Sequence, residues 1–118
     1  GRFILMGRMS TNPSRINITA LRADIRSGRR RLRITSHAQT EAFKDGLLLA
    51  DLRFVFEQGE VIEVYEDESR GLLYGIHPTI RIPVHIVVED SPTEGVIVTA
   101  YIPDTRKWIA DRRRRRGK

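Results

Sequence analysis

Apolar positions along the chain follow one period up to Gly59 and another after it. Before Gly59 the spacing is helical: Ile18, Leu21 and Ile25 recur from Ile16 onward with arginines between them, and Ser27-Gly28 supplies a stop, so a first helix is expected there. A basic connector, Arg29 to Arg33, leads to a short extended stretch around Leu32 to Thr35. Ser36 with Gln39 three residues later has capping-box spacing, which predicts a second helix with His37 in its first turn and an end near Gly46. Leu48, Leu52, Val55 and Phe56 mark a third helix stopping at Gly59 in a left-handed turn.

After Gly59 the pattern alternates. Val61 to Glu66, Leu72 to His77, Ile82 to Glu89 and Val96 to Ile102 are four strand-like runs, joined by short connections rich in turn residues. Consecutive strands so joined pair antiparallel. The expected fold is α+β, with N-terminal helices packed on one face of a four-stranded antiparallel β-meander. Alternation puts Ile82, Val84, Ile86 and Val88 on one face of their strand, and Val96, Val98, Ala100 and Ile102 on one face of the next. These aliphatic faces should meet the helices. His85, Thr99 and Tyr101 should then lie on the opposite, partly exposed face as cross-strand neighbours.

Size agrees with one domain: 118 residues with 40% apolar content close one ordinary core. The expected organisation is a flexible segment at 1–13, which holds two candidate start methionines, Met6 and Met9, a single domain at 14–110, and a basic tail at 111–118. No apolar run, Leu47 to Ala50 being among the longest, approaches the roughly 18 residues of a membrane span. With no cysteine either, a cytoplasmic protein in a reducing compartment is expected.

Charge is segregated along the chain. Residues 1–36 carry +8, residues 37–110 carry −7 and residues 111–118 carry +5, for a net +6. The arginine run Arg112, Arg113, Arg114, Arg115 and Arg116 is a candidate sequence-independent contact for phosphate, and equally a solvated tail or a contact for an acidic surface. A basic first helix and an acidic body also permit pairing between two copies in a homodimer.

No phosphate-binding loop, dinucleotide fingerprint or nucleophile elbow occurs, and His37, His77 and His85 lack metal-ligand spacing, so neither a metal nor a cofactor is expected. The remaining candidates are His85 and Tyr101 on one sheet face, with His37, Arg81, Lys107 and the acidic Glu89 or Asp104 as possible neighbours. Metal-independent RNA cleavage requires a base, an acid and cationic donors around the phosphorus, and these residue types can supply all three. In that reading His85, Tyr101 and His37 are catalytic, while Arg81, Lys107 and the tail arginines hold phosphate. Each residue also has an ordinary structural explanation: a hydrogen-bonded strand histidine, a neutral histidine at a helix start, an aromatic packed against a sheet.

The chain resembles the family called domain of unknown function 4258. The resemblance rests on the arginine-rich first helix, Ser36-His37-Ala38, Gly46-Leu47, Gln58-Gly59-Glu60-Val61-Ile62-Glu63, Pro83-Val84-His85-Ile86-Val87-Val88, and Thr99-Ala100-Tyr101-Ile102-Pro103-Asp104 with Trp108. That family's layout is similar to the RelE-like and BrnT-like toxin ribonucleases, which implies an endoribonuclease acting by acid/base transesterification. The alternative is a non-catalytic RNA-binding or protein-binding module, including an antitoxin-like partner of a cognate protein. The sequence departs from the family at Glu41 and Asp45, where arginines are common, which removes cations from the neighbourhood of His37.

Overall fold

The computed structural model describes residues 16–65, 69–104, 108–109 and 113–114. Its elements in chain order are α1 (Ile18–Ser27), β1 (Arg31–Ile34), α2 (Ser36–Lys44), α3 (Leu49–Gln58), β2 (Glu60–Tyr65), β3 (Arg70–Ile76), β4 (Pro83–Asp90), β5 (Glu94–Tyr101), β6 (Trp108–Ile109) and β7 (Arg113–Arg114). Among the described residues, no helix is long and apolar enough to cross a membrane.

Local chemistry sets the helix ends. The Asn17 side chain accepts from the Ala20 N–H at 3.0 Å to start α1, and Gly28 at φ 84° closes it in the left-handed conformation that a Cβ disfavours. The start of α2 falls one residue earlier than the spacing predicts: Thr35, not Ser36, is the cap, its Oγ1 accepting from the Ala38 N–H at 3.0 Å. Gln39 turns back to donate to the Ile34 carbonyl rather than closing a capping box. Gly59 does follow α3, but in extended backbone at φ −75°. A side chain is excluded there by proximity, since a Cβ would sit 2.7 Å from the Val55 carbonyl oxygen and 2.9 Å from that of Tyr74. The end of α3 also receives the Arg22 guanidinium, which donates to the Phe56 and Gly59 carbonyls at 2.8 and 2.6 Å.

The fold class is α+β, with a five-stranded mixed sheet in place of the expected four-stranded antiparallel meander. Strands β2 to β5 do form an antiparallel meander, but β1 adds beside β5 in parallel, giving the order β1-β5-β4-β3-β2. Thr35 fastens this edge, its N–H donating to the Ile97 carbonyl and its hydroxyl to that of Val98. A second, two-stranded sheet pairs β6 with β7.

All three described helices contribute to one core on one face of the sheet: Leu21 from α1, Ala38 and Ala42 from α2, Leu52, Val55 and Phe56 from α3. Val84, Ile86 and Val88 face them as expected. In β5 the expected face is interrupted. The register moves from Val87↔Thr99 to Val88↔Ile97, so Val98 is the extra residue of a β-bulge. Ile97 and Ala100 therefore enter the helix-side core, and Val96 pairs with Glu89 on the other side.

Candidate functional site

On the sheet face away from the helices, register aligns Glu60, Tyr74, His85 and Tyr101 in one row across β2, β3, β4 and β5. The predicted pairing of His85 with Tyr101 is present, and His85 Nδ1 lies 3.3 Å from the Tyr101 hydroxyl. Both tyrosines meet the imidazole edge-on, with ring centroids 6.2 Å away for Tyr74 and 5.3 Å for Tyr101. The expected partial exposure of His85 is not observed: the residue is 0% accessible. Tyr74 and Tyr101 flank it on the neighbouring strands, and both are half-buried.

Among the described residues, the candidates His37 and Glu89 do not converge on His85. His37 is exposed on α2, whose Ala38 and Ala42 pack against the helix-side core, so the sheet separates it from His85. Glu89 shares the face of His85 but pairs with Arg70 across the strands at 3.2 Å. Asp45 accepts from the Ile102 N–H at 2.8 Å and fastens the end of α2 to the exit of β5. Lys107, Arg112, Arg115 and Arg116 lie outside the described residues, and Arg113 and Arg114 enter only as the backbone of β7.

Arg81 is placed one ring away. It borders an open notch of about 270 Å³ together with Phe54, Gln58, Glu60, Tyr74, Gly75 and Ile76. The notch exists because β2 begins only at Glu60, opposite Tyr74, leaving the last two residues of β3 with no strand on that side. Phe54 and Gln58, one helical turn apart on α3, form its wall, and Phe54 remains 39% exposed. Arg81 adopts φ 63°, a conformation rare for a residue with a Cβ, and among the described residues its guanidinium makes no ion pair. Most other arginines of the described body are occupied: Arg26 by Glu57, Arg29 by Asp24, Arg30 by Asp24 and Asp90, Arg33 by Glu94.

The turn that carries Arg81 is held by a pair the sequence reading passed over. His77, 7% exposed, accepts at Nδ1 from the N–H groups of Thr79 at 3.0 Å and Ile80 at 3.2 Å. Those two donors fix the tautomer, so Nε2 carries the proton and donates to Asp51 Oδ2 at 3.0 Å. Asp51 in turn accepts from the Leu48 N–H at 2.8 Å, capping α3. The Arg81 N–H then closes the turn on the His77 carbonyl at 3.2 Å. An acid three residues inside a helix start was the available signal for Asp51. Nothing local announces His77 as its partner, because they meet only when the β3–β4 turn folds over α3.

Among the described residues no group of three or more histidine or carboxylate side chains could hold a metal ion. What the site offers is a donor-bearing aromatic notch with a cation at its rim, backed by a sealed imidazole.

A family model, described as a domain of unknown function (DUF4258), matches residues 34–102. That span is more than half of the chain. The protein belongs to the DUF4258 family. The match begins at the end of β1 and ends just after β5, so it holds α2, α3, β2 to β5, the His85–Tyr101 row and the notch, while α1 lies outside it. No curated protein and no solved structure matches the chain.

Proposed function

We propose that this DUF4258 domain is a non-catalytic RNA-binding module that takes single-stranded RNA at the notch between α3 and β3. The observation that carries the reading is the meeting, in one open concavity, of an exposed phenyl ring, Phe54, with Arg81, an arginine free of ion pairs among the described residues. An unstacked base stacks on such a ring whatever its identity, and a guanidinium at the rim takes a phosphate oxygen. The net +6 of the chain, with +5 in residues 111–118, adds long-range attraction for a polyanion.

Binding is favoured over cleavage by the burial of His85. A general acid or base needs hydrogen-bond reach to the proton it moves, and a fully enclosed imidazole already facing a tyrosine hydroxyl has no such reach to a ligand in the notch. A protein partner draws support from different residues, Phe43, Leu48 and Ile80, which are 56%, 63% and 59% exposed.

The test is binding of a labelled unstructured RNA by the full chain, followed by anisotropy across a salt series. Wild type is expected to bind without cleaving, in the presence of EDTA. Phe54→Ala weakens binding about tenfold, and Arg81→Ala both weakens it and flattens its salt dependence. Affinity untouched by either substitution in a folded protein would defeat the notch, and metal-independent cleavage lost in a folded His85→Ala variant would restore the ribonuclease reading.

A further inference from the structure

Resting on the RNA reading, we infer that the notch is selective for the base it holds and takes an adenine nucleotide: the ring on Phe54, the adenine N1/N6 edge on the main chain of Ile76, and the phosphate on Arg81.

The argument turns on which way the end of β3 presents its backbone. His77 donates its N–H to the Ile82 carbonyl at 2.8 Å, so at His77 the main-chain groups point toward the β4 side. Successive residues of a strand alternate in this direction, and Ile76 therefore turns its N–H and C=O the other way. Two residues back, Tyr74 has the same sense, and its carbonyl oxygen does lie against Gly59, 2.9 Å from where a Cβ would stand. Tyr74 meets β2 at Glu60; Ile76 lies beyond the start of β2 and faces the notch.

One strand residue thus presents a donor and an acceptor side by side in the plane of the sheet. Adenine carries the complement, an acceptor at N1 beside a donor at N6. A base with its hydrogen-bonding edge against the strand has its ring directed at the α3 wall, where Phe54 is exposed and Gln58 supplies a further amide. Guanine at O6 and uracil at O4 carry an acceptor where adenine carries the N6 amino group, and would set oxygen against the Ile76 carbonyl. Cytosine repeats the acceptor-donor pair at N3 and N4, and only the size of its ring separates it from adenine. The larger purine also covers more of the phenyl face than a pyrimidine does. Arg81 stands at the rim on a turn whose backbone is fixed by two hydrogen bonds to His77, within reach of a phosphate on a base held in the notch.

The experiment is an amide-resolved NMR titration of the full chain with AMP, GMP, UMP, CMP, adenosine, 1-methyl-AMP and inorganic phosphate, beside the Arg81→Ala variant, whose fold is checked by its own spectrum. AMP is expected to bind about tenfold more tightly than GMP or UMP, and about tenfold more tightly than 1-methyl-AMP, in which the N1 acceptor is blocked. The shifts should centre on Gly75, Ile76 and Arg81. In Arg81→Ala the affinity for AMP should fall to that for adenosine. Affinity for GMP, UMP, CMP or 1-methyl-AMP equal to that for AMP overturns the adenine assignment. If an unstructured RNA still shifts the same residues, the RNA reading survives that failure. If neither mononucleotide nor RNA perturbs the notch, both fall.

Discussion

Arg81 sets stability against function within one side chain. Its φ of 63° places the Cβ against the local backbone, a strain on the order of 1 kcal/mol that the His77-centred turn sustains. Asparagine tolerates that conformation far better. Arg81→Asn is therefore expected to leave the thermal midpoint unchanged or to raise it, by up to about 1 kcal/mol of stability, while RNA affinity drops with the lost guanidinium. Parallel calorimetry and anisotropy check the opposite signs; a fall in both would mean that the arginine serves the fold alone. The candidate status of Arg81 was legible as a cation in a turn, but its backbone conformation was not, because that comes from a histidine four residues earlier whose role is tertiary. His85 shows the converse. Its face and its tyrosine partner followed from alternation, yet alternation does not report how much covers a face, and the residue is sealed.

Among the elements, the β3–β4 turn and the start of α3 stand or fall together through His77 and Asp51. Replacing His77 with alanine leaves the N–H groups of Thr79 and Ile80 and the buried Asp51 carboxylate without their partner, and is expected to cost about 3 kcal/mol in a urea titration. Asparagine, whose amide oxygen occupies nearly the position of Nδ1, should recover part of the loss. A His77→Ala variant as stable as wild type would show that the turn does not depend on this side chain. The meander from β2 to β5 was visible in the sequence since each pairing is local and each turn is short. Strand β1 was seen as extended chain but not as part of the sheet, because parallel pairing joins distant segments and leaves no hairpin signal. The bulge at Val98 was invisible for a simpler reason: one extra residue in an aliphatic run leaves the run looking regular, although it exchanges Ile97 for Val96 and Val98 on the core side.

Across the whole molecule, charges that look segregated along the chain meet in space. Arg29 and Arg30 hold the Asp24 carboxyl below the usual carboxylate range, Arg29's hydrogen bond being the larger influence, and Arg33 does the same for Glu94. Both carboxylates have lowered values in the folded state. Their contribution to stability is therefore complete above the ordinary carboxylate range and is lost as pH falls through the depressed values. The expected outcome is a urea midpoint that declines on acidification through that window, with a weaker decline in an Asp24→Asn, Glu94→Gln double variant. An identical decline in the variant would assign the acid sensitivity to other groups. The charge count alone had pointed to a basic first third available for phosphate. The ion pairs leave much less of it available, and they concentrate the case for nucleic acid on the notch.

The parallel seam between β1 and β5 also governs the order in which the protein can be made. Thr35 bonds to Val98 across a separation of 63 residues, so on a ribosome the leading helix and strand emerge long before the strand that receives them exists. Helices α2 and α3 and the hairpins of the meander form from neighbours in the chain, while β1 must wait, unpaired, until residues beyond Glu94 have left the exit tunnel. During that interval an arginine-rich segment stands beside ribosomal RNA with two of its carboxylate partners, Asp90 and Glu94, not yet synthesised or only just emerging.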